Sequence, residues 1–140
     1  MFKVNKFMKK IVWTFLLCII NFIFCITDEF SDIDKKETDC INKTSSTYQM
    51  TLCTQKAMTE WENQINNYYR LLLNNKLIEK KFVEQSQKKW LEYKISNYKM
   101  INQLEKIQGT MYLNVVNGFK REVLKNRAIE LRSYYLIRIE

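Results

Sequence analysis

The chain has no proline and no histidine, and it has two glycines, Gly109 and Gly118, in 140 residues. Without proline no position removes a backbone donor from a helix interior, so helices must end at softer signals. Without histidine the commonest general base and the commonest metal ligand near neutral pH are missing. No nucleophile with an adjacent base and no convergent carboxylate pair is recognisable, which makes an enzyme the least supported class. No cofactor and no metal is expected. The few glycines, together with abundant Lys, Asn, Ile and Tyr, suit a helical chain.

What is present begins with a layout for export. Lys3, Lys6, Lys9 and Lys10 precede an apolar run from Ile11 to Ile20 that resumes after Asn21 as far as Ile26, as in a secretory signal. The run falls short of the roughly 20 apolar residues that span a bilayer, and Asn21 interrupts it, so a permanent anchor is the weaker reading. Cys25 invites a lipoprotein reading, but Phe24 stands where that processing requires a small residue. Residues 1–25 are therefore expected to be a signal peptide, and the protein periplasmic or secreted, meeting the membrane only through this segment. The segment holds four lysines and no acid, so its removal leaves 19 basic against 15 acidic residues and lowers the net charge from +8 to +4. A modest excess spread over helices that also carry acids is a solvated face, and no nucleic-acid partner is expected.

Residues 26–39 carry Asp28, Glu29, Asp32, Asp34 and Glu37 with no usable period, and are expected to form a flexible acidic arm. Cys40 and Cys53 are the two cysteines clearly beyond the export signal. In an exported chain, with no His and no third Cys at hand, such a pair points to a disulfide rather than a metal site or a nucleophile. Ser46-Thr47-Tyr48-Gln49 fits a capping box, in which the Ser46 hydroxyl accepts from the Gln49 amide and the Gln49 side chain returns to Ser46.

A first helix is expected from there to about Asn75, stopping at Asn74-Asn75 because Asn tolerates a left-handed helix end. A second is expected from about Leu77 to Ile107. It carries Val83, Ser86, Trp90, Tyr93 and Asn97 at i+3 and i+4 steps, an apolar stripe around which the core is expected to form. Gln108-Gly109-Thr110 breaks it. A third carries Met111, Val115, Phe119, Val123, Leu131 and Tyr134 or Tyr135, with Gly118 inside it as a possible close crossing. The fold class is all-α, an antiparallel three-helix bundle running up-down-up over residues 40–137, with a disulfide-stapled segment at its N-terminal end.

The order Cys40, Cys53, Glu62-x-x-Ile65-Asn66-x-x-Tyr69, Gln87-x-x-Trp90-x-x-Tyr93-Lys94, Gly109 and Arg127-x-x-x-Leu131 resembles the LprI-like lysozyme-inhibitor family. The resemblance runs from Cys40 to about Tyr135. Glu62 and Ile65-Asn66 stand where the family usually has Asp and Leu-Asn, and Tyr93-Lys94 where an aromatic residue is followed by Arg. It implies an exported bacterial helical domain that binds a protein partner such as lysozyme, or an envelope interaction protein without inhibitory activity. The family commonly has a second disulfide, and counting places its cysteines at Tyr98 and Phe119, so these two aromatic residues are expected to pack together in its stead.

Asn66, Gln87 and Arg127 fall on or near apolar stripes, where an unpaired polar group costs about 1–3 kcal/mol. They are expected to bond one another, Glu62 or the backbone across a helix interface. The functional reading makes some of them a contact surface. For meeting lysozyme, the acidic arm or an exposed cation, Lys94 or Arg132, is the candidate patch.

Overall fold

The computed structural model describes residues 29–107 and 109–137, so the expected signal peptide lies outside the described residues. The chain forms two compact units, Met1–Asp32 and Ile33–Glu140, and the described part of the first is the opening turn of one helix. Among the described residues there are four α-helices: α1 (Glu29–Ile41), α2 (Thr47–Leu73), α3 (Lys80–Ile101) and α4 (Met111–Leu136). A short 3-10 helix, Asn102–Lys106, follows α3. The fold is all-α, with one helix more than the three expected.

The additional helix replaces the flexible arm. Glu29 and Asp32 lie in its first turn, where carboxylates complement the partial positive charge of a helix N-terminus. Ile33 and Glu37, four residues apart and so on one face, are both buried. Glu37 hides this period in the sequence, because a carboxylate sits where an apolar residue would mark the stripe. Its burial is offset by Arg121, whose Nη1 donates to Glu37 Oε2 at 2.9 Å. Cys40, one turn further on, is bonded to Cys53 of α2 with their Cα atoms 5.8 Å apart.

α2 begins where the sequence indicates. The Ser46 hydroxyl accepts from the Gln49 amide at 3.5 Å, satisfying one orphan donor of the first turn. The other half of the expected capping box is diverted: the Gln49 side chain accepts from the Thr44 hydroxyl, which itself accepts from the Ser46 amide at 3.0 Å. The helix ends in a right-handed Asn74, and Asn75 turns its side chain to accept from the Leu77 amide at 2.9 Å. The left-handed stop expected there is absent, and Asn acts through its side chain instead. Gly109, with φ +121, supplies the left-handed turn before α4, a conformation that a Cβ disfavours. Gly118 marks no close crossing: a Cβ added there would meet nothing within 4 Å.

The core lies between α2 and α4. Trp61, Ile65 and Leu72 from α2 meet Val116, Leu124, Ala128 and Leu131 from α4, and Trp61, Leu124 and Ala128 have no exposure. Cross-helix contacts pair residues of α2, α3 and α4 in a definite order. Thr51 donates to Asn114 at 2.6 Å and Tyr68 meets Tyr135 with ring centroids 6.0 Å apart, so numbers rise together along α2 and α4. Between α3 and α4 they oppose, Arg127 meeting Gln87 and Lys120 meeting Tyr98.

α3 does not organise the core. It buries Val83 and Ile101, near its two ends. Of the expected stripe between them, Trp90 and Asn97 are half-buried and Ser86 and Tyr93 are exposed. The periodicity is real, but the stripe faces an open groove.

Candidate functional site: a charged cluster and an apolar groove

The site is built from the inner face of α3 and one side of α4. At one end Arg127, 4 % exposed, extends from α4 and uses its whole guanidinium fork. Nε and Nη2 donate to Gln87 Oε1 at 3.3 and 3.0 Å, Nη2 also donates to Ser86 Oγ at 3.1 Å, and Nη1 donates to Glu130 at 2.8 Å. The other Glu130 oxygen accepts from the Tyr134 hydroxyl at 2.9 Å, a bond that raises the Tyr134 pKa above its ordinary value.

Trp90 links this cluster to a second ion pair. Arg127 lies 5.6 Å from the centre of its ring, and so does Lys94 Nζ. Lys94 in turn pairs with Glu62 of α2 at 2.6 Å. One indole therefore receives two cations, each held by its own carboxylate, and the ring's electron-rich faces are suited to that role. The expected bond between Arg127 and Gln87 is present, whereas Glu62 bonds Lys94, and the two pairs meet through the Trp90 ring that both cations approach.

The remaining motif residues divide. Leu131 is in the core and Tyr69 is half-buried, whereas Asn66 is exposed. Asn66 lines a small recess of about 210 Å³ with Glu62, Gln87, Trp90 and Lys94. Tyr93 is 54 % exposed, and its hydroxyl accepts from Asn97 at 2.6 Å.

Tyr98 and Phe119 do not replace a disulfide by stacking on each other. The Tyr98 hydroxyl donates to the Lys120 carbonyl at 3.2 Å, and its ring lies 5.6 Å from Lys94 Nζ and 5.8 Å from Lys120 Nζ. Burial, with a contribution from the Glu62 charge, pushes its phenol up to about 12. Phe119 is half exposed and points into the groove. Tyr98 is held by the Lys120 carbonyl and two lysines, while Phe119 lines the groove.

That groove runs between α3 and α4 with a volume of about 740 Å³. Trp90, Tyr93 and Ile101 line it from α3, and Phe119 and Val123 from α4. Its charged lining residues are Glu122, Arg127 and Glu130. Sequence reading missed it, although a signal exists. α4 carries two apolar stripes, Val116-Leu124-Ala128-Leu131 for the core and Phe119-Val123 beside it, and among the described residues no helix covers the second.

Members of both patches proposed for meeting lysozyme, Asp34 and Glu37 of the arm and Lys94 of the cations, are already paired. On the former arm, Asp34 pairs with Lys125 at 2.6 Å and Glu37 is buried against Arg121. Burial by itself would lower the Arg121 pKa, and the bonds and charges of Glu37 and Glu122 outweigh it, leaving a net upward shift. Lys94 is held between Glu62 and the Trp90 ring. Among the described residues no group of three or more metal-ligating side chains converges, and no helix is long and apolar enough to cross a membrane.

A family model described as Lysozyme inhibitor LprI matches residues 40–131, about two-thirds of the chain. The chain belongs to the LprI family. The match opens on a cysteine of the α1–α2 disulfide and closes on Leu131 of the core, so the LprI region takes in the groove and all of the charged cluster but Tyr134. No curated protein and no solved structure matches the chain.

Proposed function

We propose that this protein is an exported binding module of the cell envelope that inhibits lysozyme through protein–protein contact. The observation that carries the reading is the LprI match across the folded domain. The basic, apolar N-terminal segment supports export to the periplasm or beyond, with membrane contact confined to that segment. The order of cross-helix contacts supports the alternating arrangement of α2, α3 and α4 that the reading assumes. The charged side chains of the site are tied to one another in pairs, as suits a rigid contact surface, and none forms the nucleophile-base geometry of a catalyst.

The exposed motif residues Asn66 and Tyr93 belong to the contact surface in this reading, while Gln87, Trp90, Lys94 and Arg127 hold its shape. The test is a titration of lysozyme with the oxidised chain. Inhibition should lower the lytic rate in proportion to the protein added and level off at a fixed molar ratio. A lytic rate unchanged at tens-of-fold molar excess would reject inhibition and leave an envelope interaction protein that co-purifies with another partner.

A further inference from the structure

We infer that the groove between α3 and α4 is a docking site for a basic amphipathic helix of a partner protein. Its occupant is argued from shape, apolarity and charge, and the inference rests on the reading of this chain as a protein-binding module.

The groove combines a buried floor with exposed apolar walls. Ile101 is 5 % exposed at its floor, whereas Met100 is 66 %, Tyr93 54 % and Phe119 50 % exposed around it. Large apolar side chains gathered about one concavity mark an interaction site more strongly than the same residues scattered over a surface. From Trp90 to Ile101 the α3 wall extends for about 16 Å, at about 1.5 Å per residue. That length accommodates about three turns of a helix presenting apolar anchors at i, i+3, i+4 and i+7.

Charge decides which helix fits. The groove is lined by two carboxylates, Glu122 and Glu130, and one cation, Arg127. Arg127 offers little to an anionic guest, since it is 4 % exposed and Nε, Nη1 and Nη2 already donate to Gln87, Glu130 and Ser86. The two carboxylates are themselves paired, Glu122 with Arg121 and Glu130 with Arg127 and the Tyr134 hydroxyl. At 44 % and 42 % side-chain exposure, however, they are the charges of the lining that solvent and a guest can reach. Apolar anchors flanked by Lys or Arg therefore complement this surface, and anchors flanked by Asp or Glu oppose it. A second copy of the chain is disfavoured by the same residues: a two-fold contact groove to groove would set Glu122 and Glu130 against their own counterparts.

The test uses the full oxidised chain and two fluorescent peptides of about 14 residues, long enough to cover the groove. Both are helical with one Leu stripe, and the polar face is Lys in one and Glu in the other. The Lys peptide should bind and the Glu peptide should not. Phe119→Asp and Met100→Asp should each weaken the Lys peptide by about tenfold or more, as loss of an interface anchor does. Ile95→Asp, at an exposed position outside the groove, should bind as the parent does. Circular dichroism establishes that each variant keeps its helices.

Equal binding of the two peptides, or undiminished binding by both folded groove variants, overturns the inference. So does a dimer in sedimentation that Phe119→Asp dissociates, which would assign the groove to a second copy. Lysozyme lysis assayed on the same variants separates this inference from the proposed function. Inhibition that survives both groove substitutions sinks the groove as the docking site while leaving the inhibitor reading intact. Peptide binding that depends on the groove, without inhibition by any variant, does the reverse.

Discussion

α4 has two packed sides, and they differ in kind. Toward α2 it presents Leu124 and Ala128, with no exposure, to a Trp61 that has none either. Toward α3 it presents Phe119 and Val123 to a groove of about 740 Å³. The first seam is closed by apolar contact. The second is spanned at its ends by polar links: the Arg127 fork to Gln87 and Ser86 at one, and Tyr98 and Glu105 on Lys120 at the other. Stability should therefore reside in the α2–α4 seam, and binding in the α3–α4 seam.

The largest expected effect tests the closed seam. Trp61→Ala removes the largest fully buried side chain and leaves a cavity that its neighbours can fill only in part. A loss of about 3–5 kcal/mol is expected, measured by urea unfolding; such a loss is a large share of what a small domain has. A loss below about 1.5 kcal/mol, half the lower bound, would mean that the α2–α4 seam is not the centre of the fold. Next comes the staple. Reducing Cys40–Cys53, or replacing both with Ser, opens a loop spanning 13 residues and should cost about 3 kcal/mol in the chain-entropy model. Mass spectrometry of the non-reduced protein should find the two thiols joined, and finding both free would remove the prediction.

Parts of the fold were legible in the sequence, but this division was not. The disulfide followed from export and an isolated Cys pair, and the α2 start from Ser46. Arg127 and Leu131 of α4, both buried, stood out through the resemblance to the LprI motif. What remained hidden has specific causes. α1 was read as an arm because Glu37 breaks its apolar stripe, and only the position of Arg121, 84 residues away, makes that carboxylate tolerable inside. The α3 stripe was read as core because a period of 3.6 records which residues share a face but not whether another helix covers that face. Which partner each motif residue takes is not written in the spacing either: Arg127 pairs with Glu130 and Gln87, and Glu62 with Lys94.

Arg127→Ala tests the polar closure of the open seam and should have a smaller effect than Trp61→Ala. Truncation unpairs Gln87, Ser86 and Glu130 together. Ser86 is exposed and Glu130 is 42 % exposed at its side chain, so water can take over part of what is lost. A cost of about 2 kcal/mol is expected, between a single charged hydrogen bond and a fully buried ion pair. Less than half of that would reassign Arg127 to the contact surface. Lytic assays on the same variant sharpen the point, since a purely structural Arg127 should lose stability and inhibition together.

The smallest effect concerns the opposite end of the same seam. Tyr98→Phe removes the hydroxyl that donates to the Lys120 carbonyl at 3.2 Å and keeps the ring, for a loss of about 0.5–1.5 kcal/mol at neutral pH. A pH dependence distinguishes this bond from a hydrated surface contact. Burial raises the Tyr98 pKa from the ordinary 10.0 to about 12. The folded state thus holds the phenolic proton more tightly than the unfolded state, and the unfolded chain releases it first as pH rises. The stabilising contribution is fully present below pH 10.0 and is lost as pH rises toward about 12. The parent should therefore lose more stability across that interval than Tyr98→Phe, which has no proton to release there. Lysines also titrate in this range, so the difference between the two unfolding curves is the quantity to follow, because it cancels what both proteins share. If the curves run parallel through the interval, the phenol is as well hydrated folded as unfolded. The groove end of α3 would then be held by Lys120 and Glu105 alone.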